Sequence, residues 1–326
     1  MMRRRDALLL GLAAAVAPPW PAFAQEYPIR PIRLVIPSVP AGVHDVIGRL
    51  WAERVKPILG TIVIDNRGGG GGVIGANDVA HSKPDGYSIL LGSTSTQVLS
   101  PAAMAQPPYD PVKSFAGVSV FAFSSTSIVV HPALPVHSLQ ELIAYAKANP
   151  GKLSYGSAGN GSITNMAGEL FKRLAGGLDI VHIPYKGIGQ GVTDLISGVI
   201  PMFSANATAQ ILDLARAGKV RILSVNSAGR TKAAIDIPTS IEAGLPGMVA
   251  QTTFAILAPV GTPAPIIDRL DAATQRVMAD EDFQKQLLNL GFEFVRGVGG
   301  AQATEVFKDE LVRWTPILKS GGVKLE

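Results

Sequence analysis

The stretch Ile32-Arg33-Leu34-Val35-Ile36-Pro37-Ser38-Val39-Pro40-Ala41-Gly42-Val43-His44-Asp45 decides the fold class. Its first five residues read as a buried strand, apolar but for Arg33. Residues 37–45 form a loop of small residues and two prolines. Val46, Ile47, Leu50, Trp51, Val55, Ile58 and Leu59 then recur at helical spacing. Strand, short loop and amphipathic helix make the repeating unit of a parallel sheet with helices on both faces.

Working outward, the unit recurs. Residues 61–64 and 87–91 read as strands, with a glycine run and a helix near 74–80 between them. A second set begins after 124–126. It holds a strand at 128–130 and a helix opened by the capping box Ser138-Leu139-Gln140-Glu141. Strands at 153–155, 180–183, 202–203 and 220–225 follow, with helices near 165–174 and up to Ile196. A strand at 253–257 precedes amphipathic helices carrying Ile266 to Met278 and Phe307 to Leu318, and Pro316 is expected to kink or end the last. The expectation is an α/β protein of two domains, 25–125 plus 229–326 and 126–228. Ligands of open parallel sheets bind beyond the carboxyl ends of the strands, and two such sheets face each other across a cleft that can close by a hinge.

Composition narrows the chemistry. The 326 residues are 47% hydrophobic and 17% charged and include no cysteine. Disulfide scaffolds, thiol nucleophiles, iron–sulfur clusters and cysteine-ligated zinc are thereby excluded. The formal charge of +4 is small, and no Lys/Arg run lies in the body, so no nucleic-acid partner is expected. Arg3, Arg4 and Arg5, an apolar stretch, and Ala22-Phe23-Ala24 read as a secretory signal peptide over 1–24, exported by the Sec or twin-arginine route. The product is expected outside the cytoplasm.

Gly70, Gly72 and Gly75 match G-x-G-x-x-G between strand and helix, but no acid ends the next strand, so a tight turn is the better reading than a dinucleotide site. Walker A and G-x-S-x-G are absent from the sequence, and the five histidines show no metal-binding spacing. No catalytic residue, metal or cofactor is assigned. His131 and His182 are read as surface or structural. What remains are loops at strand ends. In 37–45, the N–H groups starting the helix would make an anion site without a lysine, with Asp45 also serving as N-cap. Residues 92–96 and 157–162 offer hydroxyls, an amide and backbone donors, and Pro184-Tyr185-Lys186-Gly187 adds an aromatic face and a cation.

Read in order, these segments resemble the Bordetella uptake gene family, the receptors of tripartite tricarboxylate transporters. The resemblance is carried by 27–37, by Asp65-Asn66-Arg67-Gly68 through Gly75, by Pro84-Asp85-Gly86-Tyr87 and by Tyr109-Asp110-Pro111. It continues through Ser157-Ala158-Gly159-Asn160-Gly161, Pro184-Tyr185-Lys186-Gly187, Pro238-Thr239 and Gly261-Thr262-Pro263. It implies a type II periplasmic-binding-protein fold, two α/β domains joined by two crossovers around a cleft. It also implies a monomeric receptor, not an enzyme, that delivers a small organic acid to membrane transporter subunits. A receptor feeding a sensor kinase, or an exported enzyme using the same cleft, are the alternatives. Carried over, the ligand-binding positions are Ser38, Ala41, Gly42, Val43, His44 and Asp45 in the first loop. Ser93, Thr94 and Ser95 form the second. In the other domain they are Ser157, Ala158, Gly159, Asn160 and Thr164, then Tyr185, Lys186 and Asn206. The chain departs from the family pattern at Ser38 (usually aromatic), Ala41 (usually Gly), Val43-His44 (usually Ser-Thr) and Ala205 (an Asp in the family). His44 is expected to titrate near neutrality, and the departures suggest a larger or aromatic acid.

Overall fold

The computed structural model describes residues 27–320, so the expected signal peptide lies outside the described residues. In chain order the first lobe contributes β1 (Ile32–Ile36), α1 (Val43–Leu59), β2 (Ile62–Asn66), α2 (Val73–Ala80), β3 (Ser88–Ser93) and the single turn α3 (Ser100–Ala103). The 16-residue β4 (Phe115–Val130) leads into α4 (Leu139–Ala148), β5 (Leu153–Ser157), α5 (Ile163–Leu174), β6 (Ile180–Pro184), α6 (Ile188–Ile196), β7 (Met202–Asn206), α7 (Ala209–Arg216) and β8 (Arg221–Val225). The chain returns through β9 (Gln251–Pro259), α8 (Ala264–Met278), α9 (Glu281–Asn289), β10 (Glu293–Gly299) and α10 (Gly300–Ser320).

β4 belongs to both lobes. Its first part pairs antiparallel with β9, from Phe115 opposite Pro259 to Ser125 opposite Gln251, and carries β10 on its other edge. Its second part pairs with β7, from Thr126 opposite Asn206, and with β8. Beyond β9 the first sheet continues with β3, β1 and β2, the last three mutually parallel; beyond β7 the second continues with parallel β5 and β6. The strand expected at 128–130 is therefore only the end of a strand that begins at Phe115.

Where strands pass from one sheet to the other, the backbone loses regular ladder partners, and buried polar groups must find others. Three chain passes solve this together. Asn226 N donates to the Thr126 carbonyl at 2.7 Å, Thr126 N to that of Ala250 at 2.9 Å, and Ala250 N to that of Asn226 at 2.8 Å. Asn226 Nδ2 donates to Thr126 Oγ1 at 2.8 Å, and Asn206 Nδ2 to the Ser124 carbonyl and to Thr252 Oγ1. After Asn226 the chain touches both lobes. Lys232 N reaches Glu293 of β10, while Ser240 N bonds back to Val225 of β8, and Gln140 of α4 holds the Ala243 carbonyl.

The helices follow from their caps and faces. Ser138 accepts from Glu141 N, closing half of the expected capping box; the Glu141 carboxylate takes the N–H of His137 rather than that of the cap itself. One apolar cluster, with Trp51, Phe121, Phe254 and Phe292, packs α1, α8 and α9 on the first sheet. A second runs from Val35 and Leu90 of the first lobe to Leu142 and Phe171 of the second and includes Trp314 and Ile317 of α10. Of the two outcomes expected at Pro316, a kink or an end, α10 does not take the second. It continues to Ser320, with Thr315 Oγ1 donating to the Leu311 carbonyl in the preceding turn.

Candidate functional site

Parallel strands put their carboxyl ends on one edge, so the loops after β1 and β3 and those after β5, β6 and β7 gather at the edges of their sheets. The glycine run bridges the gap. A Cβ placed on Gly71 would lie 3.9 Å from the Asn160 carbonyl oxygen, so the first lobe's glycine turn faces the 157–162 loop of the second. Gly71 and Gly72 have φ of 66° and 93°, and a Cβ on Gly72 would meet Thr96 at 2.6 Å. A tight turn pressed between the strand-end loops accounts for these glycines.

In the first loop, Asp45 is the brace. It is 4% exposed and accepts from Ala41 N at 2.8 Å, Arg49 Nε at 2.9 Å and Asn66 Nδ2 at 2.9 Å. Asn66 Nδ2 also reaches the Ser38 carbonyl. Burial raises the Asp45 pKa, but the hydrogen bonds from Arg49, Ala41 and Asn66 and the charge of Arg49 more than offset it, so the carboxyl stays below its ordinary range. Asp45 thus lies inside α1 and folds back on the loop; the N-cap is Gly42, which has no side chain, and the first-turn N–H groups around Val43 and His44 are left without a side-chain cap. Ala41 sits at φ 62°, a left-handed conformation uncommon for a residue with a Cβ. Ser38 Oγ turns back to the Val39 carbonyl at 3.2 Å.

The His44 ring stands edge-on to Phe254, 5.1 Å between centroids, and Phe254 in turn meets Phe292 edge-on at 5.7 Å. Burial pushes the imidazole pKa down to about 4. The expectation that His44 titrates near neutrality is therefore corrected: packed among aromatic rings, it is neutral across the physiological range.

The hydroxyls of Ser93, Thr94 and Thr96 after β3 are used internally. Thr94 Oγ1 accepts from Thr253 N at 2.9 Å, and Ser93 and Thr96 bond each other. Ser93 and Thr94 are fully buried, and Ser95 is 8% exposed. Behind them Glu310 of α10 accepts from Thr253 Oγ1 at 2.6 Å; burial raises its pKa against the lowering effect of Thr253, Thr94 and Arg313. Nothing in the sequence pointed to Glu310, which the helical spacing of α10 places on an otherwise apolar face.

In the second lobe a chain of neutral groups fixes the loop after β5. Gly161 N donates to Asn165 Oδ1, which orients the amide. Asn165 Nδ2 then faces Tyr155 Oη at 3.0 Å and His182 Nδ1 at 3.4 Å. With Nδ1 accepting, the imidazole proton is on Nε2, which donates to Ser157 Oγ at 2.7 Å. Ser157 Oγ also accepts from Gly159 N and has the Gly159 carbonyl to donate to. Ala158 N bonds Thr164 Oγ1, and Ser162 caps α5 by accepting from Asn165 N. His182, read from sequence as surface or structural, is the centre of this chain, and burial first of all holds its pKa below the ordinary value. Asn160 stays exposed at the loop's tip.

Tyr185 Oη is engaged by Asp194 at 2.8 Å, and Lys186 is exposed. α6 starts at Gly187, again with no side-chain cap. Asn206 belongs to the crossing between lobes described above. Ala205 is fully buried in an apolar cluster with Phe203 and Ile211, so a carboxylate there would need a partner the cluster does not offer. Among the described residues, no group of three or more His, Asp or Glu is placed to hold a metal ion.

Two lobes on a shared strand, with uncapped helix starts and bare loops at the facing strand ends, define a two-lobed solute-binding receptor. The chain belongs to the tripartite tricarboxylate transporter family of receptors, whose family model matches residues 47–323. It is 34% identical over 308 residues to protein BugT of Bordetella pertussis, covering 94% of each chain. Among solved structures it resembles Rpa4515 of R. palustris, determined with adipate, with a TM-score of 0.86 and 32% identity over 92% of this chain and 99% of that one. MatC of Rhodopseudomonas palustris, determined with bound malate, matches with a TM-score of 0.82 and 28% identity over 90% of this chain and all of that one.

Proposed function

We propose that the protein captures a small carboxylated solute between lobes 25–125 plus 229–326 and 126–228, and hands it to membrane transporter subunits of the tripartite tricarboxylate type. The observation that carries this reading is the uncapped start of α1, held by Asp45 at a strand end that faces the second lobe. Helix-start N–H groups attract carboxylates. The family, and the dicarboxylates in the two R. palustris structures, support the same class of ligand. Export by the expected leader and a monomeric receptor in the periplasm fit this role.

Binding without turnover is favoured by the second-lobe chain. The one serine–histidine pair in these loops runs the wrong way for catalysis, because His182 donates to Ser157 and has no lone pair free to take the hydroxyl proton.

The test is a thermal-shift screen of the full-length mature protein against adipate, malate, citrate and aromatic acids. A ligand at 100 times its Kd stabilises by about 2.7 kcal/mol, which raises Tm by roughly 5 °C or more. A rise with one or more acids, and recovery of the acid unchanged, is expected. No rise with any organic acid, or conversion of the bound acid, overturns the reading.

A further inference from the structure

His44 combines three features that the receptor role alone does not require. It is in the first turn of α1, at the helix start that offers uncapped N–H groups. Its ring is wedged edge-on against Phe254, yet the residue keeps some accessible surface. And no hydrogen bond to either ring nitrogen is made among the described residues. An imidazole packed at the helix start with both nitrogens unpartnered among the described residues has its hydrogen-bonding capacity unspent.

The electrical surroundings of the ring are bare. Asp45 and Arg49 on its own helix are bonded to each other and to Asn66. Phe254 of β9 and Phe292 behind it are apolar. Glu310 is held by Thr253, whose side chain alternates to the opposite face of β9 from that of Phe254. Without an anion, nothing supports a charge on the imidazole, and burial and the helix start both oppose it. An anion arriving at the same helix start changes this. An opposite charge within about 4–6 Å favours the charged form by about 1–3 pH units.

We infer that His44 makes solute capture proton-coupled: as the carboxylate seats at the start of α1, His44 takes one proton from solvent and becomes its counter-ion. This rests on the carboxylate-receptor reading and deepens it. Solute affinity then rises as the pH falls below neutrality, up to tenfold per pH unit where the complex is protonated and the free protein is not. On release the proton returns to solvent, so an acidic compartment favours loading and a neutral one favours release.

The experiment uses the mature protein with the best acid of the screen and with inorganic sulfate, whose charge is constant from pH 4 to pH 8. Calorimetry near pH 6 in buffers of different ionisation enthalpy counts protons taken up per acid bound. NMR of the histidine ring carbons follows His44 with and without acid and with and without sulfate, the signal being assigned by its loss in His44→Gln. Expected are net proton uptake in the wild type, a His44 titration at least one pH unit higher in the presence of acid or sulfate, and, in His44→Gln, weaker acid binding with that uptake lost. Acid binding with equal proton uptake in wild type and His44→Gln, or with the His44 titration unmoved, overturns the inference and leaves the receptor reading standing. Binding of no organic acid overturns both.

Discussion

Loop 37–45 of the first lobe is held by an ionised carboxylate, whereas loop 157–164 of the second is held by a chain of neutral donors and acceptors. Asp45 gathers Ala41 N, Arg49 and Asn66 on one buried carboxylate. On the other side the groups that touch the loop, His182, Asn165 and Ser157, are neutral, and the carboxylate behind them, Glu169, takes the Tyr155 hydroxyl at 2.7 Å and is paired with Lys172. The difference teaches how an anion site is supported from below. A bare carboxylate under a helix start would repel an incoming acid, and Arg49 cancels it. In the second lobe the carboxylate stands one residue further back, at Glu169, and Lys172 offsets it. In both lobes the side chains set the shape of the loop, and α1 and α6 begin without a side-chain cap.

The sharpest way to break the comparison is Asp45→Ala. It strips the loop N–H and the Asn66 amide of a buried acceptor and takes the carboxylate from Arg49, which keeps only Asn66, so a loss of about 3 kcal/mol is expected by denaturant unfolding. Acid affinity should fall with it. Asp45→Asn, which still accepts from Ala41 N, should lose less. A loss under 0.5 kcal/mol for the alanine variant would mean that the loop holds itself.

Acid separates the two lobes and His44 by pH window. Asp45 has a folded pKa below its ordinary value, so its stabilisation is complete above about pH 4 and disappears as the pH falls further. His44 and His182 are also lowered, which makes their neutral forms stabilising above pH 6.5. That contribution is lost as the pH falls from 6.5, for His44 down to about 4. For His44 the full loss is at most about 3 kcal/mol, at 1.36 kcal/mol per unit. Unfolding measured between pH 7 and pH 2 without ligand should therefore fall in two steps. His44→Gln should flatten the upper one, and Asp45→Asn the lower. A single step unaffected by His44→Gln would contradict the burial of its ring.

Ser157→Ala should be milder, about 1–2 kcal/mol, since it removes one acceptor shared by His182 and Gly159. Combined with Asp45→Ala, the stability losses should add to within about 0.5 kcal/mol, because the two sites share no partner. Their effects on acid affinity should not add if both loops grip the same molecule. Additive affinity losses would separate the loops functionally.

The strand–loop–helix unit was legible because apolar runs and helical periods report burial directly, but the sequence alone, which reads Asp45 as a cap, does not show its pairing with Arg49 four residues on. The first part of β4 was not legible. Ser119, Ser124 and Ser125 interrupt its apolar run, and their partners, Gln275 Nε2, the Gly291 carbonyl and Gln251 Nε2, come from distant parts of the chain. At the site, loop positions were visible as clusters of small residues, but their roles were not. Whether Thr94 or Ser157 is free for a ligand depends on Thr253 and His182, which are far away in sequence. The neutrality of His44 depends on Phe254, 210 positions away.

The smallest effect concerns Ala41, the one residue other than glycine with positive φ among those described. Its Cβ crowds the backbone in that conformation, which costs about 1–2 kcal/mol in an L residue. It is held there by Asp45, which binds its N–H at 2.8 Å. Ala41→Gly removes the crowding but frees the unfolded chain, which returns about 0.5–1 kcal/mol of entropy to the unfolded state. A net stabilisation of about 0.5 kcal/mol is expected. In the Asp45→Ala background the loop need not keep the left-handed conformation, so the same substitution should then stabilise nothing. An equal gain in both backgrounds would show that loop 37–45 keeps its shape without the carboxylate, and that the ionic brace of the first lobe serves the acid site rather than the fold.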